Sequence, residues 1–171
     1  MMRSKAPVPP GKALERLENL CARSEQCEYE VRQKLARWQV SADDADKIVD
    51  SLIDRRFVDN ERYAASFVRD KYRFSRWGRI KIAMALRQKR IDRHTIEQAL
   101  DEIDEDEYTD ILRHLIKAKA ASIAEPDTYE GRTKLYRFGA SRGFEPVLVA
   151  CILRESNLRK ISAINCGNFS V

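Results

Sequence analysis

Apolar residues recur along the chain at intervals of three and four, the spacing that places side chains on one face of an α-helix. About nine such stripes follow one another, beginning at Leu14, Val31, Ile48, Tyr63, Ile82, Ile96, Tyr108, Leu135 and Val149. The chain has only 6 Gly and 5 Pro, fewer than strand-and-turn architectures usually need. The pattern therefore predicts an all-α fold of about nine short helices.

Helix-start signals support these boundaries. Ser41 followed by Asp44 resembles a capping box with Asp in place of Glu. Asp92 can cap a helix that begins at the next residue. Pro126 and Pro146 are predicted in first helical turns, where the missing N–H of proline costs no hydrogen bond.

The helices are predicted to form repeats. A short Arg-x-Lys-apolar pattern occurs at Arg32–Leu35, Arg79–Ile82 and Arg132–Leu135. Between the second and third copies the correspondence extends to Gly78 with Gly131, Ile91 with Phe144, Asp92 with Glu145, Ile96 with Val149, and Leu100 with Leu153. We expect three tandem three-helix repeats forming an elongated, curved helical array. The predicted segments are a flexible N-terminus at 1–12, repeats at 13–58, 60–104 and 106–155, and a C-terminal tail at 156–171.

Charge is distributed unevenly within a net charge of +5. Acidic residues are rare among the basic side chains of the central stretch, which are Arg69, Lys71, Arg73, Arg76, Arg79, Lys81, Arg87, Lys89, Arg90 and Arg93. The stretch that follows, Glu97 to Glu107, is acidic. A basic region beside an acidic one predicts a field that steers a polyanion onto one face. An ordinary solvated helix surface is the alternative interpretation.

Other features narrow the function. The first dozen residues lack an apolar signal segment, and the longest apolar run, Val147 to Leu153, is far too short to span a membrane. We therefore expect a cytoplasmic protein with no membrane partner. The four cysteines show no CxxC spacing, and His94 and His114 have no nearby Cys pair, so we expect reduced thiols and no metal. Nucleotide-binding and nucleophile motifs are absent, which predicts no cofactor and no catalytic site.

One segment resembles a known family. Arg56 to Arg69, followed by Trp77 to Leu86, closely resembles the RecX family. The residues that carry the resemblance are Phe57, Asp59, Glu61, Arg62, Tyr63 and Ala64, then Gly78, Ile82, Leu86 and Ile91. Two departures stand out: Arg90 lies where many relatives have Gly, and Arg79 lies where proline is frequent.

The resemblance implies an all-α monomer that lies in the groove of the RecA filament on single-stranded DNA. Such proteins suppress ATP hydrolysis and strand exchange by RecA, and so modulate recombination, DNA repair and the SOS response, without a catalytic centre or cofactor. The candidate nucleic-acid and filament-binding residues are Arg69, Lys71, Arg73, Arg76, Arg79, Lys81, Arg87, Lys89 and Arg90. Second-tier candidates are Arg32, Lys34, Arg132 and Lys134, which could equally serve contacts between repeats.

Helical geometry refines these expectations. Arg79, Arg87 and Arg90 share one sector away from the apolar stripe, so we expect all three to be exposed. Tyr72, Phe74 and Trp77 interleave with the cations, where they either stack on bases or pack internally. Two alternatives to RecA regulation stay open, a stand-alone helical-repeat nucleic-acid-binding protein and a protein-only scaffold. Capping of filament ends, groove binding and RecA displacement also stay open.

Overall fold

The computed structural model describes residues 6–155, and this part of the chain is all-helical, which confirms the predicted fold class. Its nine helices are α1 (Pro10–Cys21), α2 (Glu28–Arg37), α3 (Ala42–Asp54), α4 (Asn60–Arg73), α5 (Arg79–Gln88), α6 (Arg93–Asp101), α7 (Glu105–Ala120), α8 (Tyr129–Ser141) and α9 (Pro146–Glu155). None of the helices within these residues is long and apolar enough to cross a membrane. The predicted tail at 156–171 and the first five residues lie outside the described part.

The described chain divides into two compact units. Unit 1 contains residues 6–67 and Leu86–Ala99, and unit 2 contains Val68–Ala85 and residues 100–155. Helices α4 and α5 contribute residues to both units. The second predicted repeat is therefore shared between the units, and the division into three repeats stays a prediction.

The core of unit 1 forms where α3 packs against α1 and α2. Its buried side chains are Ala13, Leu17, Val31, Leu35, Ile48, Val49, Leu52 and Val58. All of them except Ala13 and Val58 come from the predicted apolar stripes, because helical spacing puts them on the inward faces. Burying each of the leucines contributes about 1.5–3 kcal/mol.

The first helix begins before residue 13, the predicted start of the first repeat. Helix α1 begins at Pro10, because proline suits the first turn of a helix. Val8 packs against the unit 1 core, and its N–H donates to the carbonyl of Trp38 at 2.9 Å. Residues 10–12 thus belong to α1, and the flexibility expected of residues 1–12 stays a prediction.

In unit 2, α7, α8 and α9 pack against one another. Tyr108, Leu112, Leu135 and Ile152 are buried there. Gly139 lets α8 approach α9 closely, because a Cβ at this position would lie 2.9 Å from both methyl groups of Val149. The residue with the smallest side chain is therefore required by the packing of these two helices.

Two of the predicted helix starts are confirmed by their hydrogen bonds. The hydroxyl of Ser41 accepts the N–H of Asp44 at 3.2 Å, and the carboxylate of Asp92 accepts the N–H of Thr95 at 3.0 Å. Pro146 is the first residue of α9, as predicted. These local signals position the helices correctly because a cap is made within one turn of sequence.

The prediction for Pro126 is wrong. Pro126 is buried in the connection before α8, which begins only at Tyr129. The cap of α8 is Thr128, whose hydroxyl accepts the N–H of Gly131 at 3.1 Å. Sequence alone does not distinguish a proline in the first turn of a helix from one a few residues before it. Here the cap formed by Thr128 sets the start of α8.

The second helix of each predicted repeat ends in the same way. The residue after the cap is left-handed, and the next apolar residue donates its N–H back to the helix, as in a Schellman motif. The pairs are Gln39 with Val40, Arg90 with Ile91, and Gly143 with Phe144. Their left-handed φ angles are 57°, 58° and 88°. Arg90 thus occupies a position where glycine costs less, as the departure from the RecX pattern suggested.

Candidate nucleic-acid interface

The structure distributes the nine predicted binding cations over both units. Unit 2 holds Arg69, Lys71, Arg73, Arg76, Arg79 and Lys81. Unit 1 holds Arg87, Lys89 and Arg90. Within each unit, the predicted cations differ in how far internal contacts already occupy them.

Arg79 is not the exposed cation that the helical spacing predicted, and its side chain is only 20% exposed. Its guanidinium lies 2.6 Å from a carboxylate oxygen of Glu105 and 3.5 Å from one of Glu145. Burial lowers the pKa of Arg79, but the carboxylates of Glu105 and Glu145 outweigh it and raise that pKa overall. The expectation of exposure was wrong because helical spacing shows only which side of α5 a residue lies on. It does not show that residues distant in sequence, Glu105 and Glu145, pack against the start of that helix. Arg79 is largely committed to holding unit 2 together.

Tyr108 completes this network from the buried side. Its hydroxyl accepts the backbone N–H of Arg79 at 2.8 Å and donates to Glu145 at 2.8 Å. Burial raises the pKa of the hydroxyl, so the proton that bonds Glu145 is retained. Tyr108 therefore satisfies a backbone donor at the start of α5, which a helix cannot satisfy by itself.

The start of α5 is also held by direct backbone contact. The N–H of Gly78 donates to the carbonyl of Arg142 at 2.9 Å, and the N–H of Ile80 donates to that of Gly143 at 3.0 Å. A Cβ on Gly78 would lie 2.1 Å from the backbone of Gly143. The glycine that helped to identify the RecX resemblance is thus explained by a close approach of two backbones in unit 2.

Arg73 and Tyr72 share one acidic partner. A guanidinium nitrogen of Arg73 lies 2.9 Å from a carboxylate oxygen of Glu107, and the hydroxyl of buried Tyr72 donates to the same oxygen at 2.9 Å. These hydrogen bonds hold the pKa of Glu107 below its ordinary value. Tyr72 therefore packs internally and is not a surface for stacking.

The acidic residues that follow α6 cap α7 and form ion pairs within unit 2. Asp104 caps α7 by accepting the N–H of Glu107 at 2.7 Å. Glu105 and Glu107 neutralise Arg79 and Arg73, which are 26 and 34 residues away in sequence. Our sequence reasoning did not identify these partners, and no local signal marks them. The basic and acidic stretches are thus in part paired with each other, which weakens the field expected from their separation.

Trp77 lies between two of the predicted lysines. The ammonium nitrogen of Lys71 is 5.2 Å from the centre of its ring system and that of Lys81 is 4.5 Å away, both within the range of a cation–π contact. Trp77 itself is half-buried. Its indole is therefore engaged by unit 2's own cations.

Arg69, Arg76 and Phe74 remain exposed in unit 2. Among the described residues, neither arginine has an ion-pair partner. Arg76 also has a left-handed backbone, with φ of 55°. The ring of Phe74 is 80% exposed. Within the predicted basic stretch of unit 2, these three groups are exposed and available to a partner.

In unit 1 the three predicted cations differ in availability. Lys89 forms an ion pair with Glu30 and lies 5.8 Å from the ring centre of Tyr63. Arg90 is exposed, with its guanidinium 5.3 Å from the ring centre of Tyr29. Arg87 is exposed and makes no ion pair within residues 6–155. Lys89 thus has a structural partner, and Arg87 and Arg90 are accessible.

Most second-tier candidates have internal partners. In unit 1, Arg32 lies 2.7 Å from Glu28 and 2.6 Å from Asp46, and Lys34 donates to the amide oxygen of Gln26 at 3.0 Å. In unit 2, Arg132 lies 4.0 Å from Asp127, and Lys134 is exposed. The repetition of the pattern therefore reflects helix-to-helix contacts at two of its three occurrences.

The residues that carry the family resemblance in unit 1 are structural. Asp59 caps α4 by accepting the N–H of Arg62 at 3.0 Å, and Arg62 in turn lies 2.7 Å from Glu25. Tyr63 is buried and its hydroxyl donates to Glu30 at 3.3 Å. These contacts explain why an acidic residue, an arginine and an aromatic residue occur in this order.

The accessible groups suit binding better than bond-making chemistry. Guanidinium groups form bidentate hydrogen bonds with phosphate or carboxylate. Within residues 6–155 no group of three or more His, Cys, Asp or Glu side chains is placed to hold a metal ion. Each unit by itself thus offers exposed guanidinium groups to an anion, Arg69 and Arg76 in unit 2, and Arg87 and Arg90 in unit 1.

Two protein-family models match the chain. The one described as RecX, first three-helix domain, matches residues 13–52, and the one described as RecX, second three-helix domain, matches residues 59–100. Together they cover most of the first six helices, and residues 53–58, which include Phe57 of the motif resemblance, lie between the two matches.

The sequences of two relatives agree with these family matches. A regulatory protein RecX of Clostridium botulinum (strain Eklund 17B) is 33% identical over 131 residues, which are 75% of this chain and 61% of that protein. A regulatory protein RecX of Neisseria meningitidis is 27% identical over 152 residues, which are 87% of this chain and 94% of that protein. The chain thus spans less than two thirds of the length of the clostridial relative.

A solved structure shows the same fold. The crystal structure of RecX from Lactobacillus salivarius superposes with a TM-score of 0.76 at 24% identity, covering 88% of this chain and 97% of that one. A second crystal structure, of a regulatory protein RecX, gives a TM-score of 0.77 at 20% identity, covering 86% of this chain and 72% of that one. At these identities the likeness is one of fold.

Proposed function

Because this chain belongs to the RecX family, we propose that it is a regulatory protein that binds the RecA filament on single-stranded DNA. In this proposal it inhibits ATP hydrolysis and strand exchange by RecA, and it acts in the cytoplasm without catalytic chemistry of its own. The family membership supports a regulatory role, and the exposed cations support an anionic partner.

The observation that carries the proposal is that three of the predicted binding arginines, Arg69, Arg76 and Arg87, are exposed and form no ion pair among the described residues. All three lie in the basic central stretch for which the sequence predicts contact with a polyanion. Arginine binds phosphate through its planar fork, and such contacts release counterions from the strand. Arg90 adds a fourth exposed guanidinium at a strained backbone position.

The test is ATP hydrolysis by RecA preassembled on single-stranded DNA, titrated with this protein at two salt concentrations. We expect inhibition that weakens as salt rises. The Arg69→Ala, Arg76→Ala and Arg87→Ala variants should each reduce inhibition. For binding to the bare strand, each should lower the magnitude of the log–log salt slope by about 0.7.

Arg113→Ala is the matched control. Arg113 is an exposed arginine of unit 2 outside the predicted set, paired with Asp110 at 2.9 Å, and its loss changes the net charge by the same amount. It should leave inhibition unchanged. If the protein binds bare DNA but does not affect RecA, the stand-alone nucleic-acid-binding alternative is favoured. Inhibition with no salt dependence and no effect of the three variants favours a protein-only scaffold.

A further inference from the structure

The apolar side chain of Phe74 is exposed to solvent, with which it can form no hydrogen bond. Its ring is 80% exposed, whereas the neighbouring aromatic residues Tyr72 and Trp77 are buried and half-buried. Burying a phenylalanine side chain is worth about 1.5–3 kcal/mol, and the fold forgoes that gain here. Unlike tyrosine, phenylalanine has no polar atom that could prefer the solvent.

The exposure does not come from a loose chain end. The N–H groups of Phe74 and Ser75 both donate to the carbonyl of Asp70, at 3.0 and 3.4 Å, and the N–H of Trp77 donates to that of Lys71 at 3.0 Å. These bonds wind the chain into a compact turn directly after α4. The turn presents the ring on ordered backbone, so a ligand that stacks on it need not first order the protein.

We propose that Phe74 stacks on an unpaired nucleobase of single-stranded DNA. This inference rests on the proposed function and assigns part of the same interface to base contact. Arg69 and Arg76 flank the ring in sequence, and neither has an ion pair within the described residues. Cations that hold phosphates beside an aromatic ring that accepts a base are the combination by which proteins bind single strands.

The charge around Phe74 favours nucleic acid over a protein partner. Between Arg69 and Lys81 the chain carries several basic residues and a single acidic one, Asp70. Arg73 and Arg79 are paired with carboxylates from elsewhere in unit 2. The charge that attracts a polyanion beside the ring is therefore that of Arg69 and Arg76, which form no ion pair among the described residues. A base in a duplex has both faces covered by its neighbours, so the ring has a partner only where the strand is unpaired.

The experiment measures binding of the full chain to three probes: an oligothymidylate strand, the same strand with abasic sites throughout, and a duplex. The variants are Phe74→Ala and Phe74→Trp, with Tyr129→Ala as the control. Tyr129 is also in unit 2 and is 86% exposed, but lies between Asp127 and Glu130 in sequence. Urea midpoints of all variants check that each is folded, which we expect because the replaced side chains are exposed.

On oligothymidylate, Phe74→Ala should weaken binding about 5- to 150-fold, the range of one base–aromatic stack. Its salt slope should match that of the wild type, because the lost contact is neutral. On the abasic strand and on the duplex the variant and the wild type should bind alike. Phe74→Trp should keep the affinity and add a tryptophan emission that the bound strand quenches, and Tyr129→Ala should match the wild type throughout.

Four results would overturn the inference. Unchanged binding of Phe74→Ala to oligothymidylate excludes the stack, and an equal loss on the abasic strand assigns the ring to a backbone contact. If Phe74→Ala binds DNA normally but no longer inhibits RecA, the ring contacts the recombinase. A wild type that fails to bind the bare strand also overturns it, while inhibition of RecA ATPase by that same protein would leave the proposed function standing.

Discussion

The hydroxyl of Tyr108 offers the sharpest test of how unit 2 is held together. Its side chain is fully buried, and a Tyr108→Phe substitution removes one oxygen atom while leaving the ring in contact with Phe144, whose centre is 5.0 Å away. The change therefore removes hydrogen bonds with little loss of packing. Two bonds are lost, one from the N–H of Arg79 and one to Glu145.

The expected loss of stability depends on which hydrogen-bond partners the N–H of Arg79 and the carboxylate of Glu145 keep in the variant. The N–H of Arg79 at the start of α5 would have no acceptor, and an unsatisfied buried donor costs about 1–3 kcal/mol. The Glu145 carboxylate would lose a hydrogen bond but keep its contact with the Arg79 guanidinium. We expect Tyr108→Phe to lower the free energy of unfolding of unit 2 by about 2–3 kcal/mol.

The assay is urea unfolding followed by tryptophan fluorescence. The chain has 2 tryptophans, Trp38 in unit 1 and Trp77 in unit 2, so a Trp38→Phe background reports on unit 2 alone. With a urea dependence of about 1–3 kcal/mol per molar, the predicted cost moves the midpoint by about 1 M.

Tyr72→Phe in the same background is the matched control. Its hydroxyl also donates to a carboxylate, but Glu107 is 38% exposed and water can replace the lost bond. It should cost about 1 kcal/mol or less. If Tyr108→Phe moves the midpoint no further than Tyr72→Phe, the hydroxyl bridge does not stabilise unit 2 and the reasoning is refuted.

Two further predictions concern unit 1 and the pH dependence of unit 2. Arg90→Gly should be about 1 kcal/mol more stable than Arg90→Ala by Trp38 fluorescence, because both lose the charge and only glycine relieves the left-handed backbone; equal midpoints would contradict this. The folded-state pKa of Glu107 lies below the ordinary value of 4.5, chiefly through its hydrogen bond with Arg73. Its contribution to stability is therefore present above that value and is lost as the pH falls through the folded-state pKa. Glu107→Gln should be less stable than the wild type near neutral pH, and urea midpoints should converge on acidification; a gap that stays constant would refute the assignment.

Local features of the fold were predictable because they are decided within a few residues. Apolar spacing placed the helices, and Ser41 and Asp92 marked two of their starts. The correspondence of Ile91 with Phe144 reflects a shared helix ending, since both donate their N–H back to the preceding helix after a left-handed residue. Where local signals were ambiguous, as at Pro126, the prediction failed.

The availability of the charged residues was not predictable in the same way. The sequence shows that Arg76 and Arg79 lie three residues apart in one basic stretch, and nothing local distinguishes them. In unit 2, Arg79 meets Glu145, which is 66 residues away in sequence, whereas Arg76 meets no carboxylate among the described residues.

The sequence by itself thus determined the helices, two of their caps and the positions of the basic residues, since these depend on composition and on contacts within one or two turns. The tertiary structure decided which cations are neutralised and which aromatic ring faces solvent. The physical reason is that an ion pair or a buried ring depends on what the folded chain brings next to it. In unit 2 the carboxylates that pair with Arg73 and Arg79 come from α7 and from Glu145, which directly precedes α9. Arg69 and Arg76 pair with no carboxylate among the described residues, and Phe74 stays exposed.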